Sequence, residues 1–133
     1  MKHAMQVYLD DADSKALHAW AKARGWTLSQ AIRAALFTSD LVLAEVQRLL
    51  LFRAGARAAA AALARLSTSP SLDLLFPDLA IHREAQAYLA KYADQAFTYT
   101  DAASFALMKA HRCDAALTFD RHFLVAGFTL WQG

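Results

Sequence analysis

The sequence predicts an α/β fold with a mostly parallel sheet, and three observations carry that expectation. Short apolar runs bounded by turn residues alternate with longer segments of helical periodicity, the layout of strands buried on both faces by crossover helices. The chain has 133 residues, 57% of them hydrophobic and 20% charged, which suits one packed domain and is too apolar for disorder. Its single cysteine, Cys113, excludes a disulfide scaffold. No apolar run approaches the roughly 18 residues of a membrane span, and Met1 to Met5 lacks the basic-then-apolar order of a secretory signal. A cytoplasmic protein without membrane association is therefore expected.

Met5, Val7 and Leu9 alternate with Gln6 and Tyr8, so residues 5–10 are predicted as a strand with one buried face. Asp11 or Asp13 can cap the helix that follows, in which Leu17, Trp20 and Ala21 fall at helical spacing up to Arg24, with Gly25 as a left-handed stop. Thr27 or Ser29 caps a second helix carrying Leu28, Ile32 and Ala35 on its buried side. A short strand over 35–38 leads to Ser39 or Asp40, either of which can cap a helix running through Glu45 to about Phe52 and broken by Gly55. The alanine-rich stretch 56–66 is a further helix, because alanine has the lowest intrinsic helix cost.

Ser67 to Ser71 with Pro70 is a loop, and residues 72–76 form a short buried strand ended by Pro77. Asp78 caps a helix whose Ile81, Ala85, Tyr88, Leu89 and Tyr92 lie along one stripe. Another helix runs from Asp101 to about His111, a strand over 115–119 follows, and a short helix over 122–126 and a strand over 128–131 close the chain.

The formal net charge of +2 is too small to argue for nucleic acid alone, but it is unevenly spread: residues 71–133 hold seven acids against five Lys and Arg. In open parallel sheets the functional crevice lies beyond the carboxyl ends of the strands. Asp10, Asp101 and Asp120 each fall just after a predicted strand or connection, and Glu45 sits in the second turn of the helix after the second strand. Clustered carboxylates raise one another's pKa, and a divalent cation reverses that penalty. Mg²⁺ or Mn²⁺ suits carboxylate and water oxygens, activates water and neutralises charge developing on a phosphodiester. Asp101, Asp120 and Glu45 are read as site acids in preference to helix caps and a solvated flank. Asp10 competes with Asp11 and Asp13 for a capping role and is read first as a cap.

Thr38-Ser39-Asp40-Leu41-Val42-Leu43-Ala44-Glu45, then Thr100-Asp101-Ala102-Ala103-Ser104-Phe105-Ala106, then Leu117-Thr118-Phe119-Asp120-Arg121-His122-Phe123, ending Ala126-Gly127-Phe128, resemble the PIN-domain family, especially the VapC-like toxins of toxin–antitoxin pairs. The resemblance covers residues 37–133. It implies a three-layer α/β/α fold, Mg²⁺- or Mn²⁺-dependent cleavage of RNA, a homodimer, a cognate antitoxin, and catalytic acids at Glu45, Asp101, Asp120 and Asp10. Asp101, Asp120 and Glu45 would hold the metal, with Thr118 hydrogen-bonding a carboxylate or site water. Where the family's first acid is followed by hydroxyl residues, this chain has Leu9-Asp10-Asp11-Ala12.

Residues 1–36 are similar to a ribbon-helix-helix DNA-binding segment, through Val7-Tyr8-Leu9-Asp10, Arg24-Gly25 and Thr27-Leu28-Ser29-Gln30-Ala31-Ile32. That resemblance implies Gln6 and Tyr8 facing bases of duplex DNA from a dimeric ribbon. The chain is accordingly read as a strand-helix-helix segment, 1–36, followed by a PIN-like domain, 37–133. Residues 5–10 either fill the central slot of the sheet or pair with a second chain. Arg48, Arg53 and Arg57 follow Glu45 and can track an RNA backbone or form a solvated flank. The five histidines show no paired metal-ligand spacing, and His122, near Asp120, is read as a surface residue in preference to a substrate contact. A metal-dependent endoribonuclease leads, with a dimeric DNA-binding protein fused to an inactive PIN remnant as the alternative.

Overall fold

The computed structural model describes residues 3–5, 19, 22–23, 25, 36–70 and 72–130. Among them the elements are β1 (His3–Met5), β2 (Leu36–Ser39), α1 (Asp40–Ala54), α2 (Ala56–Thr68), β3 (Asp73–Leu75), α3 (Leu79–Lys91), α4 (Tyr99–Ala110), β4 (Ala115–Leu117), α5 (His122–Val125) and β5 (Thr129–Leu130). The five strands form one sheet in the order β3-β2-β1-β4-β5, and every pairing is parallel. No helix among the described residues is long and apolar enough to cross a membrane.

The first strand is described from His3, two residues ahead of the predicted start. β1 lies at residues 3–5, with His3 opposite both Leu36 and Ala115. It is the central strand of the sheet, between β2 and β4. Residues 6–10, with the predicted site positions Gln6, Tyr8 and Asp10, lie outside the described residues. Of the two predicted helices that follow, Ala19, Lys22 and Ala23 are helical, and Gly25 has φ +65° with its N–H donating to the Lys22 carbonyl. That is the left-handed stop the sequence predicts.

Ser39, rather than Asp40, caps α1: its Oγ accepts the Val42 N–H at 3.3 Å, while Asp40 bonds only to Leu41 N. Gly55 ends α1 and starts α2 with φ +89° and ψ 167°, a region essentially restricted to glycine. A Cβ there would meet nothing within 4 Å, so the cost of Gly55→Ala is purely backbone strain. We expect it to lower unfolding stability by about 1–3 kcal/mol, read as a reduced urea midpoint at constant slope. An unchanged midpoint would show that the turn between α1 and α2 relaxes freely.

Helix α4 is buried along its whole face from Thr100 to Met108, the behaviour of a helix packed on all sides. Small Ala102 and Ala103 meet Ala85 of α3, with Leu41 of α1 packed on the same cluster. This draws α1 towards the start of α4. Phe105 sits in the larger core with Phe37, Phe97, Met108 and Phe123.

The fourth strand is shorter than predicted. It ends at Leu117, which pairs with Met5 of β1. Phe119 is 85% exposed, and Asp120 lies in the turn beyond the strand rather than at its end.

Candidate active site

Asp101 is the third residue of α4 and forms a capping box: its Oδ2 accepts the Thr98 N–H at 2.9 Å, and its own N–H donates to Thr98 Oγ1 at 3.1 Å. Two N–H groups at the helix start are thereby satisfied, and the carboxylate sits at the positive end of the helix dipole. Asp101 is only 5% exposed. Its capping role and its place in the site are one and the same geometry, although the sequence sets them as alternatives.

Asp120 is fixed by two short-range bonds. Its N–H donates to Thr118 Oγ1 at 3.1 Å, and its Oδ1 accepts the His122 N–H at 2.9 Å. Thr118 thus supports the backbone of Asp120.

His122 is the residue that sequence reasoning missed. Its Nδ1 lies 3.5 Å from Asp101 Oδ2 and 3.4 Å from Asp120 Oδ1. The atom is fully buried, yet neither approach closes to a hydrogen bond. The ring stands edge-on to Phe97 at 5.2 Å and 72°, and the adjoining Phe123 is completely buried. Asp101, Asp120 and His122 each offer a ligand atom, and these atoms all lie within 4.8 Å of one another. The available signal was the Asp120-x-His122 spacing just ahead of an apolar anchor. A search for paired histidines passes over it.

These three residues line one end of a groove of about 630 Å³ with Thr98, while α1 contributes Glu45, Arg48, Leu49, Phe52 and Arg53. The i, i+3/i+4 spacing of those α1 residues places them along one stripe of the helix. Glu45 is exposed on the groove wall and does not belong to the close group of three. The Arg48 guanidinium lies 5.9 Å from the centroid of the Phe52 ring, and Phe52 is 78% exposed. Arg57, on α2, is not among the lining residues.

The donor set suits a divalent cation. Two carboxylates brought together in a mostly buried site repel unless a cation intervenes, and the buried His122 Nδ1 stands between them at ion-pair distance without a hydrogen bond.

The PIN-domain family model matches residues 8–128. The chain belongs to the PIN-domain family. A relative of this PIN domain is the 23S rRNA-specific endonuclease VapC20 of Mycobacterium tuberculosis, from strain CDC 1551 and from strain H37Rv. Each is 38% identical over 94 residues, covering 70% of both chains. Among solved structures, the crystal structure of Mycobacterium tuberculosis VapC20, described as a sarcin-ricin loop cleaving toxin, superposes with a TM-score of 0.73. That match covers 100% of both chains at 26% identity. The likeness to VapC-type PIN domains expected from residues 37–133 is thus shown, and the family match reaches back into the segment that resembles ribbon-helix-helix.

Proposed function

We propose that this PIN domain is a Mg²⁺- or Mn²⁺-dependent endoribonuclease of the VapC toxin type, acting on a structured loop of ribosomal RNA. The observation that carries the reading is the convergence of Asp101, Asp120 and His122 at one end of a groove whose wall bears Glu45, Arg48 and Arg53. The relatives' ribosomal RNA specificity supports the substrate class.

Asp101 and Asp120 would hold the cation, with Glu45 and Asp10 as further acids. The cation supplies Lewis acidity towards water and phosphate oxygen and offsets the negative charge that develops on the phosphodiester. The protein's own part is positional. The capping box locks the Asp101 carboxylate and the Thr118 turn locks Asp120, so neither must reorganise when substrate arrives. Arg48 and Arg53 hold backbone phosphates further along the groove, and the apolar surface of Leu49 and Phe52 lies between them.

The test is a sarcin-ricin-type RNA hairpin incubated with the protein in Mg²⁺ or Mn²⁺. One discrete cut is expected, lost in EDTA, restored by the added ion, and reduced at least about 10²-fold in Asp120→Asn. Cleavage that persists through both treatments sinks the reading. For the basic stripe, Arg48→Ala with Arg53→Ala should weaken RNA binding and flatten the salt dependence by about 0.7 in log–log slope for each phosphate contact removed. An unchanged slope in a salt titration assigns those arginines to solvent.

The same reading treats residues 1–36 as the first strand and helices of a three-layer PIN fold. Support comes from β1 lying between β2 and β4 and from a family match beginning at residue 8. These observations favour the nuclease over a ribbon-helix-helix reader of duplex DNA. A cognate antitoxin, a homodimer and a cytoplasmic site of action belong to the toxin assignment as well.

A further inference from the structure

We propose that His122 is itself a metal ligand through Nδ1, and that this imidazole biases the site towards a first-row transition ion such as Mn²⁺ over Mg²⁺. The inference rests on the metal-dependent reading above and goes beyond the all-carboxylate site the sequence implied.

The geometry at Nδ1 points to a lone-pair donor. Were Nδ1 a proton donor to either acid, one contact should close to about 2.7–3.2 Å with the hydrogen aligned. Instead the nitrogen stands nearly equidistant from Asp120 Oδ1 and Asp101 Oδ2, at 3.4 and 3.5 Å. Neighbouring donor atoms around an octahedral ion with bonds of about 2.1 Å lie roughly 3 Å apart, so a shared ion needs only a small inward movement. The nitrogen is buried and has no hydrogen-bond partner, the state in which a polar atom is costly unless something else binds it.

The ring is also held in place. Phe97 meets it edge-on, Asp120 Oδ1 accepts the residue's own N–H, and Phe123 beside it is locked in the core. His122 also lines the groove, and a proton on Nε2 leaves Nδ1 free to bind. Carboxylate and water oxygens satisfy Mg²⁺, whereas an imidazole nitrogen in the set favours first-row transition ions.

The test is Mn²⁺ binding, with Mg²⁺ as competitor, to the intact protein in the absence of RNA. Pulsed EPR of the Mn²⁺-loaded wild type should show ¹⁴N coupling from a directly bound imidazole. His122→Asn puts an amide group near the Nδ1 position and can retain an oxygen donor; it should lose that coupling. It should also lower Mn²⁺ affinity by about 10- to 100-fold while changing Mg²⁺ affinity far less, so that the Mn²⁺/Mg²⁺ preference collapses. Stoichiometric Mn²⁺ without ¹⁴N coupling in the wild type overturns the ligand assignment and leaves the nuclease reading standing. Coupling that persists in His122→Asn assigns it to another nitrogen and also overturns the proposal. Failure of the wild type to bind Mn²⁺ at all removes both.

Discussion

Asp101→Asn is expected to abolish RNA cleavage without unfolding the protein. The amide oxygen can still accept the Thr98 N–H, and the residue's own N–H can still reach Thr98 Oγ1, so the capping box survives. What disappears is a negative charge next to Asp120 and His122, at a position only 5% exposed. On the proposed metal-dependent reading the site loses an anionic oxygen donor, and turnover on a sarcin-ricin-type hairpin should fall by at least about 10²- to 10³-fold. The melting temperature in EDTA should stay level or rise, because removing one of two neighbouring carboxylates relieves repulsion that folding otherwise bears. Asp101→Ala separates the two roles: it loses the cap as well and should cost about 1 kcal/mol of stability besides the activity. An Asp101→Asn protein that cleaves at the wild-type rate shows that the geometry of the cap, which the amide preserves, and not the charge, is all that Asp101 provides.

Phe105→Ala should produce the largest loss of stability. Phe105 is fully buried and its ring meets four others: Tyr88 at 5.6 Å, Phe97 at 5.0 Å, Phe123 at 4.9 Å and Phe128 at 5.7 Å. Truncation removes the burial, the edge-to-face contacts and the filled volume together, for about 3–5 kcal/mol. In a chain of this size that corresponds to a fall of ~10–20 °C in Tm. Phe119→Ala, at a position 85% exposed, should stay within about 0.5 kcal/mol of wild type. The core change reaches the chemistry too: Phe97 braces the His122 ring, and Phe123 anchors the residue next to it. Activity in Phe105→Ala should therefore drop below what the unfolded fraction explains. A loss under about 1 kcal/mol in thermal or urea unfolding would mean that the neighbouring rings collapse into the space.

From Asp40 onward, local signals located the helices well. Asp78 does cap α3, its Oδ1 accepting the Ile81 N–H at 2.9 Å, and Gly55 does break α1 from α2. Both depend on backbone groups within four residues, so the residue types suffice. The strands were less legible: predicted five-residue runs at 72–76 and 115–119 shrink to Asp73–Leu75 and Ala115–Leu117. A strand's length is set by the partner beside it, and those partners come from distant parts of the chain.

By itself, the order of residues determined an α/β chain and which acids stand at its helix starts and turns, because caps and periodicity act over one or two turns of backbone; the PIN family entered through resemblance of its motifs. Only the tertiary structure decided that Asp101 and Asp120 meet while Glu45 stays on the groove wall, and that His122 points between them. That meeting depends on the packing of small Ala102 and Ala103 against Ala85 and Leu41, and on Phe123 entering the core. These are contacts between segments far apart in sequence, where a shift of an ångström or two separates a shared ion from three unrelated surface groups.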